Sequence, residues 1–203
     1  MLRKVNMNLT IKALTPELAG DYFDFFENRA FTDDSPYRCY CQVYQMSKEQ
    51  YQEAYDNIDG QDVGRASREV AEQQIADGIL RGYLAYVDGE SIGWCNANDR
   101  ANFPPVPYYD VSFYAPAELK EKAVVCFEIA PGYRMKGVAT ALLQQVIADA
   151  KIGGYTAVVS FPFAHAERFE WDCRGPVRLY EKAGFNKVSQ KDDNIIMRKD
   201  LAD

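Results

Sequence analysis

VVCFEIAPGYRMKGVATALLQQVIADAK, Val124–Lys151, changes its hydrophobic period once, and that change decides the fold. Val124, Val125, Cys126, Phe127 and Ile129 form an apolar run of strand character that Pro131-Gly132 ends. From about Gly137 the apolar residues Val138, Ala139, Leu142, Leu143, Val146, Ile147 and Ala150 recur at helical spacing. Strand, short loop and helix start in that order outline an anion site. The first four N–H groups of a helix lack partners within it, and the helix dipole adds positive potential there. Gly137 lets the backbone come close to bound oxygens because it carries no Cβ. Arg134 and Lys136 add two cations to a chain of net charge −7, so local charge here opposes global charge.

Composition sets the bounds. The 203 residues fit one domain, and 47% apolar content suits a folded chain rather than a disordered one. The acidic balance argues against nucleic acid as a partner, since phosphate backbones are held by clustered Lys and Arg; cationic amines are favoured. No stretch approaches the ~20 apolar residues of a membrane span, and MLRKVNMNLTIK has no signal-peptide core, which gives a cytoplasmic expectation. Cys39, Cys41, Cys95, Cys126 and Cys173 are scattered and odd in number, so no disulfide framework is expected. Cys39-Tyr40-Cys41 has no partner pair and His165 is the lone histidine, so no metal is expected either.

Around the central stretch the chain reads in order. Asn8–Leu14 alternates as a strand; Thr15-Pro16 supplies an N-cap and first-turn proline for a helix carrying Leu18, Tyr22, Phe25 and Phe26. Asn28–Tyr44 is polar, aromatic and irregular, with Asp33 and Asp34; its aromatics either pin the loop to the core or line a pocket. Ser47 and Gln50 form a capping box for a helix interrupted at Asn57–Gly60, and helical pattern returns between Gly64 and Gly78. Gly82–Val87 and Glu90–Asn96 are strands joined by Asp88-Gly89, suited to a type I′ turn. Pro104–Pro107 and Tyr108-Tyr109-Asp110 make Asp99–Lys122 an irregular excursion, read as an insertion in a single domain spanning 1–203. Gly153-Gly154 stops the central helix; Thr156–Ser160 is a short strand; Pro176 and Gly184 frame a last helix before a strand pair through Asn194–Met197. His165 sits in the long connection Phe161–Asp172, as a structural residue or as a base tuned near neutral pH.

Arg134-Met135-Lys136-Gly137-Val138-Ala139 fits Arg/Gln-x-x-Gly-x-Gly/Ala, and Leu179-Tyr180-Glu181-Lys182-Ala183-Gly184-Phe185 follows at the right distance. In both motifs the chain resembles the GNAT superfamily of N-acetyltransferases. The resemblance implies an α/β (α+β) fold with a mixed, mostly antiparallel sheet splayed between its fourth and fifth strands and flanked by helices. It implies an acetyl-CoA-dependent N-acetyltransferase acting on a primary amine of a small molecule by direct attack on the thioester; a homodimer stays open.

By the same resemblance, amides from Met135 to Thr140 (Met135, Lys136, Gly137, Val138, Ala139, Thr140), with Arg134, hold the pyrophosphate of acetyl-CoA. Backbone groups of Phe127 and Ile129 pair with the pantetheine arm. The Phe127 N–H would hydrogen-bond the oxyanion and Tyr180 would protonate the leaving thiolate. Glu128 is the candidate base, although strand alternation sets it opposite Phe127 and Ile129. One position departs from the family: where many members carry a cofactor-contacting asparagine, this chain has Cys173, and Arg174 and Arg178 either compensate through a phosphate or stand solvated on the helix. That departure leaves a second reading, a non-catalytic acyl-CoA-binding or regulatory module.

Overall fold

A computed structural model describes residues 8–33, 38–56, 62–104, 120–164 and 172–201. Asp34, His165 and most of the Asp99–Lys122 excursion lie outside the described residues. Seven strands form one sheet: β1 (Leu9–Ala13), β2 (Gly82–Val87), β3 (Glu90–Asp99), β4 (Glu121–Ile129), β5 (Ala157–Ser160), β6 (Asn186–Lys191) and β7 (Asn194–Asp200). Their order is β1-β2-β3-β4-β5-β7-β6. Only β4 and β5 run parallel. The expected mixed, mostly antiparallel sheet is thus present.

Among the described residues five α-helices accompany it: α1 (Ala19–Asn28), α2 (Lys48–Tyr55), α3 (Val63–Ala76), α4 (Val138–Ile152) and α5 (Val177–Lys182). Trp94 of β3 packs edge-on against Tyr22 of α1, with ring centroids 5.0 Å apart. A Cβ on the preceding residue, Gly93, would lie 3.1 Å from Val138 Cγ1 of α4. Consecutive strand residues point to opposite faces, so α1 and α4 cover opposite faces of the sheet.

Several local expectations hold. Asp88 and Gly89 both have positive φ, at 52° and 88°, as a type I′ turn needs. Ser47 and Gln50 form the reciprocal capping box. Others are corrected. Thr15 makes no side-chain cap; a single 3₁₀ turn over Pro16–Leu18 comes between it and α1. Strand β3 continues past Asn96 to Asp99, because its continuation pairs with the start of β4. Pro176 and Gly184 frame α5 as expected, with Pro176 as its N-cap.

The functional geometry is set by β4. Its first part, Glu121 to Val124, pairs with Ala157 to Ser160 of β5. Across β3, Asn96 faces Cys126 while Ala97 faces Val124, so Val125 is an extra, bulged residue. The bulge falls where the ladder to β5 ends, and the two strands separate beyond it. The base of β4 is clamped: Glu121, 5% exposed, accepts from Arg100 Nη1 at 2.6 Å and from Arg198 of β7.

Candidate active site

After β4 the Ala130 N–H donates to Ile92 O at 3.0 Å, and Pro131–Tyr133 makes one 3₁₀ turn. The chain then enters α4 through two left-handed residues, Met135 at φ 61° and Gly137 at φ 90°. The second is the N-cap of α4, a conformation glycine adopts without steric cost. A Cβ at Gly137 would meet nothing within 4 Å, so the space above this amide is open among the described residues. The first intrahelical bond runs from Ala141 N–H to Gly137 O, which leaves the N–H groups of Val138, Ala139 and Thr140 ahead of the ladder. Lys136 is exposed, its Nζ 5.4 Å from the Tyr133 ring centroid.

Arg134 differs from expectation. Its guanidinium is tied to the end of β4: Nε donates to Ile129 O at 3.0 Å and Nη2 lies 3.3 Å from Glu128 Oε1, while Nη1 pairs with Asp33. It therefore straps the loop to the strand rather than standing beside the loop as a loose cation. Glu128 completes the strap, because its Oε1 also accepts from the Ile129 N–H at 3.2 Å.

Along the separated edge of β4, the Phe127 N–H donates to the carbonyl of Cys173 at 2.6 Å. The chain's own backbone thus occupies the amide that the sequence singled out. The Cys173 thiol lies 3.3 Å from the Tyr44 hydroxyl. Tyr44 is positioned by a buried polar relay in which Gln45 Nε2 donates to Asn96 Oδ1 at 2.8 Å and Asn96 Nδ2 donates to Cys41 O at 3.0 Å. This relay fixes the irregular loop to β3. Burial raises the Tyr44 hydroxyl well above the ordinary phenol range, so it stays protonated.

Tyr180 is fully buried on α5 and donates to Arg174 O at 2.6 Å. Its ring centroid stands 6.4 Å from that of Phe127 and 5.4 Å from that of Phe185. The Leu179–Phe185 segment here meets the open part of β4 at Phe127. Gly175 permits this packing: at φ 78°, a Cβ would sit 3.3 Å from the Phe127 ring.

Arg174 is held within the fold. It is 6% exposed, donates to Asn194 Oδ1 at 2.9 Å and lies 4.0 Å from the Phe163 ring centroid. It anchors the strand-to-helix connection to β7, whereas Arg178 remains exposed. Cys126 and Tyr44 were not singled out in the sequence although they surround Cys173. Their only signals were the position of Cys126 beside Phe127 and the place of Tyr44 at the end of the aromatic loop.

Among the described residues no group of three or more His, Cys, Asp or Glu is arranged to hold a metal ion. None of the described helices is long and apolar enough to cross a membrane.

Comparison with known proteins follows the same lines. A family model described as "Acetyltransferase (GNAT) family" matches residues 40–185. No curated protein sequence matches the chain. Among solved structures, a GNAT-family acetyltransferase from Listeria monocytogenes aligns with TM-score 0.58 at 10% identity, covering 97% of this chain and 99% of that one. An N-acetyltransferase from Staphylococcus aureus gives 0.54 at 18% identity, over 96% and 99%. The PaiA N-acetyltransferase of Thermoplasma acidophilum, solved in complex with coenzyme A, gives 0.52 at 14% identity, over 96% and 100%. At these identities the likeness is one of fold.

Proposed function

The chain belongs to the acetyltransferase (GNAT) family, and from that premise we propose that it transfers the acetyl group of acetyl-CoA to a primary amine of a small molecule. The observation that carries this reading is the open start of α4, with Gly137 at φ 90° and nothing within 4 Å of its Cβ position, at the end of the strand edge that β5 has left. An oligophosphate fits such a cradle through backbone amides, without need of the Arg134 side chain. Amides from Met135 to Thr140 hold the pyrophosphate, with Lys136 as the nearby exposed cation, and Phe127 and Ile129 pair with the pantetheine arm as a neighbouring strand would.

When bound, acetyl-CoA supplies an activated acetyl thioester. The Phe127 N–H then exchanges the Cys173 carbonyl for the thioester carbonyl and steadies negative charge on that oxygen, a contribution of about 3 kcal/mol for one preorganised donor. Tyr180 keeps its proton directed at Arg174 O, 2.6 Å away, until the leaving thiolate takes it. The acceptor enters on the side of Tyr44 and Glu128, and the net charge of −7 favours a protonated amine in the encounter.

One observation favours a second reading. The 2.6 Å bond from Phe127 to Cys173 closes the donor edge, as it would in a module that binds acyl-CoA through the α4 loop alone and does not turn over. The two readings separate in calorimetric titration with acetyl-CoA, with ATP as control, followed by thiol release in a panel of primary amines. Binding with turnover supports the transferase; binding without turnover by any amine supports the module. If acetyl-CoA does not bind at millimolar concentration, or if Gly137→Val binds as well as the unmodified chain, the loop assignment fails.

A further inference from the structure

We propose that Arg174 is a positioning residue that controls both donors of the site at once, because its guanidinium anchors the one stretch of backbone that covers them. Two consecutive carbonyls are engaged. Cys173 O accepts from the Phe127 N–H at 2.6 Å, and Arg174 O accepts from the Tyr180 hydroxyl at 2.6 Å. These carbonyls belong to the two peptide planes that meet at the Arg174 Cα. Each plane moves as a unit, so a displacement of that one atom carries both oxygens with it. That the covered groups are the oxyanion donor and the acid rests on the functional reading above, whereas the anchor stands on contacts alone.

The side chain fixes the Arg174 Cα. Its guanidinium is buried, with Nη1 2.9 Å from Asn194 Oδ1 and 3.4 Å from Phe161 O, and Cζ 4.0 Å from the Phe163 ring centroid. These three partners are joined to one another on the β5–β7 side. Phe161 directly follows β5, Asn194 opens β7 and bridges to Phe163, and the Ile195 N–H donates to Pro162 O at 3.0 Å. The Cys173–Arg174 stretch therefore spans the gap that opens where β5 leaves β4, with its backbone on β4 and its side chain on the opposite wall. On its other flank it is pinned as well: Gly175 takes φ 78°, where a Cβ would lie 3.2 Å from Leu179 Cδ2, and Pro176 caps α5. A desolvated guanidinium does not give up an acceptor without a replacement, so the Asn194 contact resists any shift of the stretch.

While the anchor holds, neither donor is available. When the Phe127 N–H exchanges the Cys173 carbonyl for a thioester carbonyl, the Arg174 Cα is displaced, and the Tyr180 hydroxyl loses its resting acceptor just where the leaving sulfur stands. Tyr180 exchanges one acceptor for another in this step, so its hydroxyl is close to neutral in acetyl-CoA binding. The Asn194 contact has no such replacement. The apparent affinity is reduced by the fraction of molecules in the shifted, competent arrangement, so a weaker anchor tightens acetyl-CoA binding and a stronger anchor weakens it.

The experiment measures proton exchange by NMR in the full chain without ligand, beside calorimetric titration with acetyl-CoA. Asn194→Ala removes the acceptor, and Asn194→Asp makes the same bond charge-assisted; a general loss of stability does not move the two variants in opposite directions. In Asn194→Ala the Phe127 amide and the Tyr180 hydroxyl proton should exchange about tenfold faster and acetyl-CoA should bind tighter by the same factor, while the amides of Ala123 and Val124 keep their rates. In Asn194→Asp these shifts reverse. Should Asn194→Ala fold poorly, Arg174→Lys, which keeps the charge and loses the planar fork, takes its place. The proposal is overturned by unchanged Phe127 exchange in both variants, by a change at Phe127 that leaves Tyr180 as it was, by shifts of the same sign in both variants, or by an acetyl-CoA affinity that does not follow the exchange rates in a chain that binds it. If the unmodified chain does not bind acetyl-CoA while the exchange rates respond as described, the functional reading fails and the anchor stands.

Discussion

The two halves of β4 have the same strand chemistry and opposite surroundings. From Glu121 to Val124 the strand is paired on both sides and its base is held by a buried carboxylate between two arginines. From Cys126 to Ile129 it is paired with β3 only, and its other edge is occupied by exchangeable groups: the Cys173 carbonyl on Phe127, and the Glu128 and Arg134 side chains on Ile129. The first half is fastened by interactions that nothing can replace without unfolding. The second half is satisfied by interactions that a ligand of the same hydrogen-bonding pattern can replace. A strand that leaves its partner partway along is a binding edge when the substituting groups are the chain's own, because the polar groups of the unliganded edge stay paired and still yield to a better partner.

The fastened half is broken most severely at Glu121. Glu121→Ala leaves Arg100 and Arg198 without their shared counter-charge near the end of the sheet, and the loss of stability should be about 3–5 kcal/mol. Chemical denaturation measures it. Because the site lies at the far end of the strand, acetyl-CoA affinity of the protein that remains folded should be unchanged. A parallel loss of affinity would mean that the two halves are not separate.

At the open half the largest effect is expected from Tyr180→Phe. Removing the one hydroxyl that the α5 motif presents should lower kcat by about 10²–10³-fold, some 3–4 kcal/mol, with acetyl-CoA affinity retained. The same substitution deletes the bond to Arg174 O, so a thermal scan must accompany the kinetics. Full activity in a stable variant would remove Tyr180 from the chemistry.

Gly93→Ala probes the far end of the open half, where Gly93 pairs with Ile129. The added Cβ would sit 3.0 Å from Ile129 Cδ1 and 3.1 Å from Val138 Cγ1, pushing the end of β4 away from the start of α4. Overpacking of this kind costs about 1–3 kcal/mol. A larger fractional loss in acetyl-CoA binding than in stability is expected, since both displaced residues border the cradle; the reverse ratio would show that the cradle is insensitive to the splay.

Much of this was legible in the sequence because it depends on local period and turn chemistry. The strand-to-helix change at Val124–Lys151, the Asp88-Gly89 turn and the Ser47–Gln50 box each follow from a few neighbouring residues. What was not legible depends on partners far apart in the chain. Arg134 looks like a phosphate cation until Asp33, a hundred residues earlier in the chain, is set beside it, and Arg174 until Asn194 and Phe163 are. The bulge at Val125 has no composition of its own, since Val124-Val125-Cys126 reads as uninterrupted strand. Likewise Cys173 is unremarkable in a scattered set of five until the Phe127 N–H and the Tyr44 hydroxyl are set beside it.

Glu128 gives the smallest expected effect and the sharpest division of roles. Strand alternation set its side chain apart from Phe127 and Ile129, and its carboxylate is in fact turned back onto the loop, accepting from the Ile129 N–H and pairing with Arg134 Nη2. A carboxylate held in this way straps the open edge and is not directed at an incoming amine. Glu128→Gln keeps an acceptor for the Ile129 N–H and loses only the charge opposite Arg134, which Asp33 still meets. The expected loss in kcat/KM is therefore less than about tenfold, or 1.4 kcal/mol, with the acidic limb of the pH–rate profile unchanged. A general base at this position predicts a fall of 10²-fold or more and disappearance of that limb, since general-base assistance contributes about 10²–10⁴. The pH profile decides between the two, because a strap and a base can cost the same at one pH, but only a base carries its own titration into the rate.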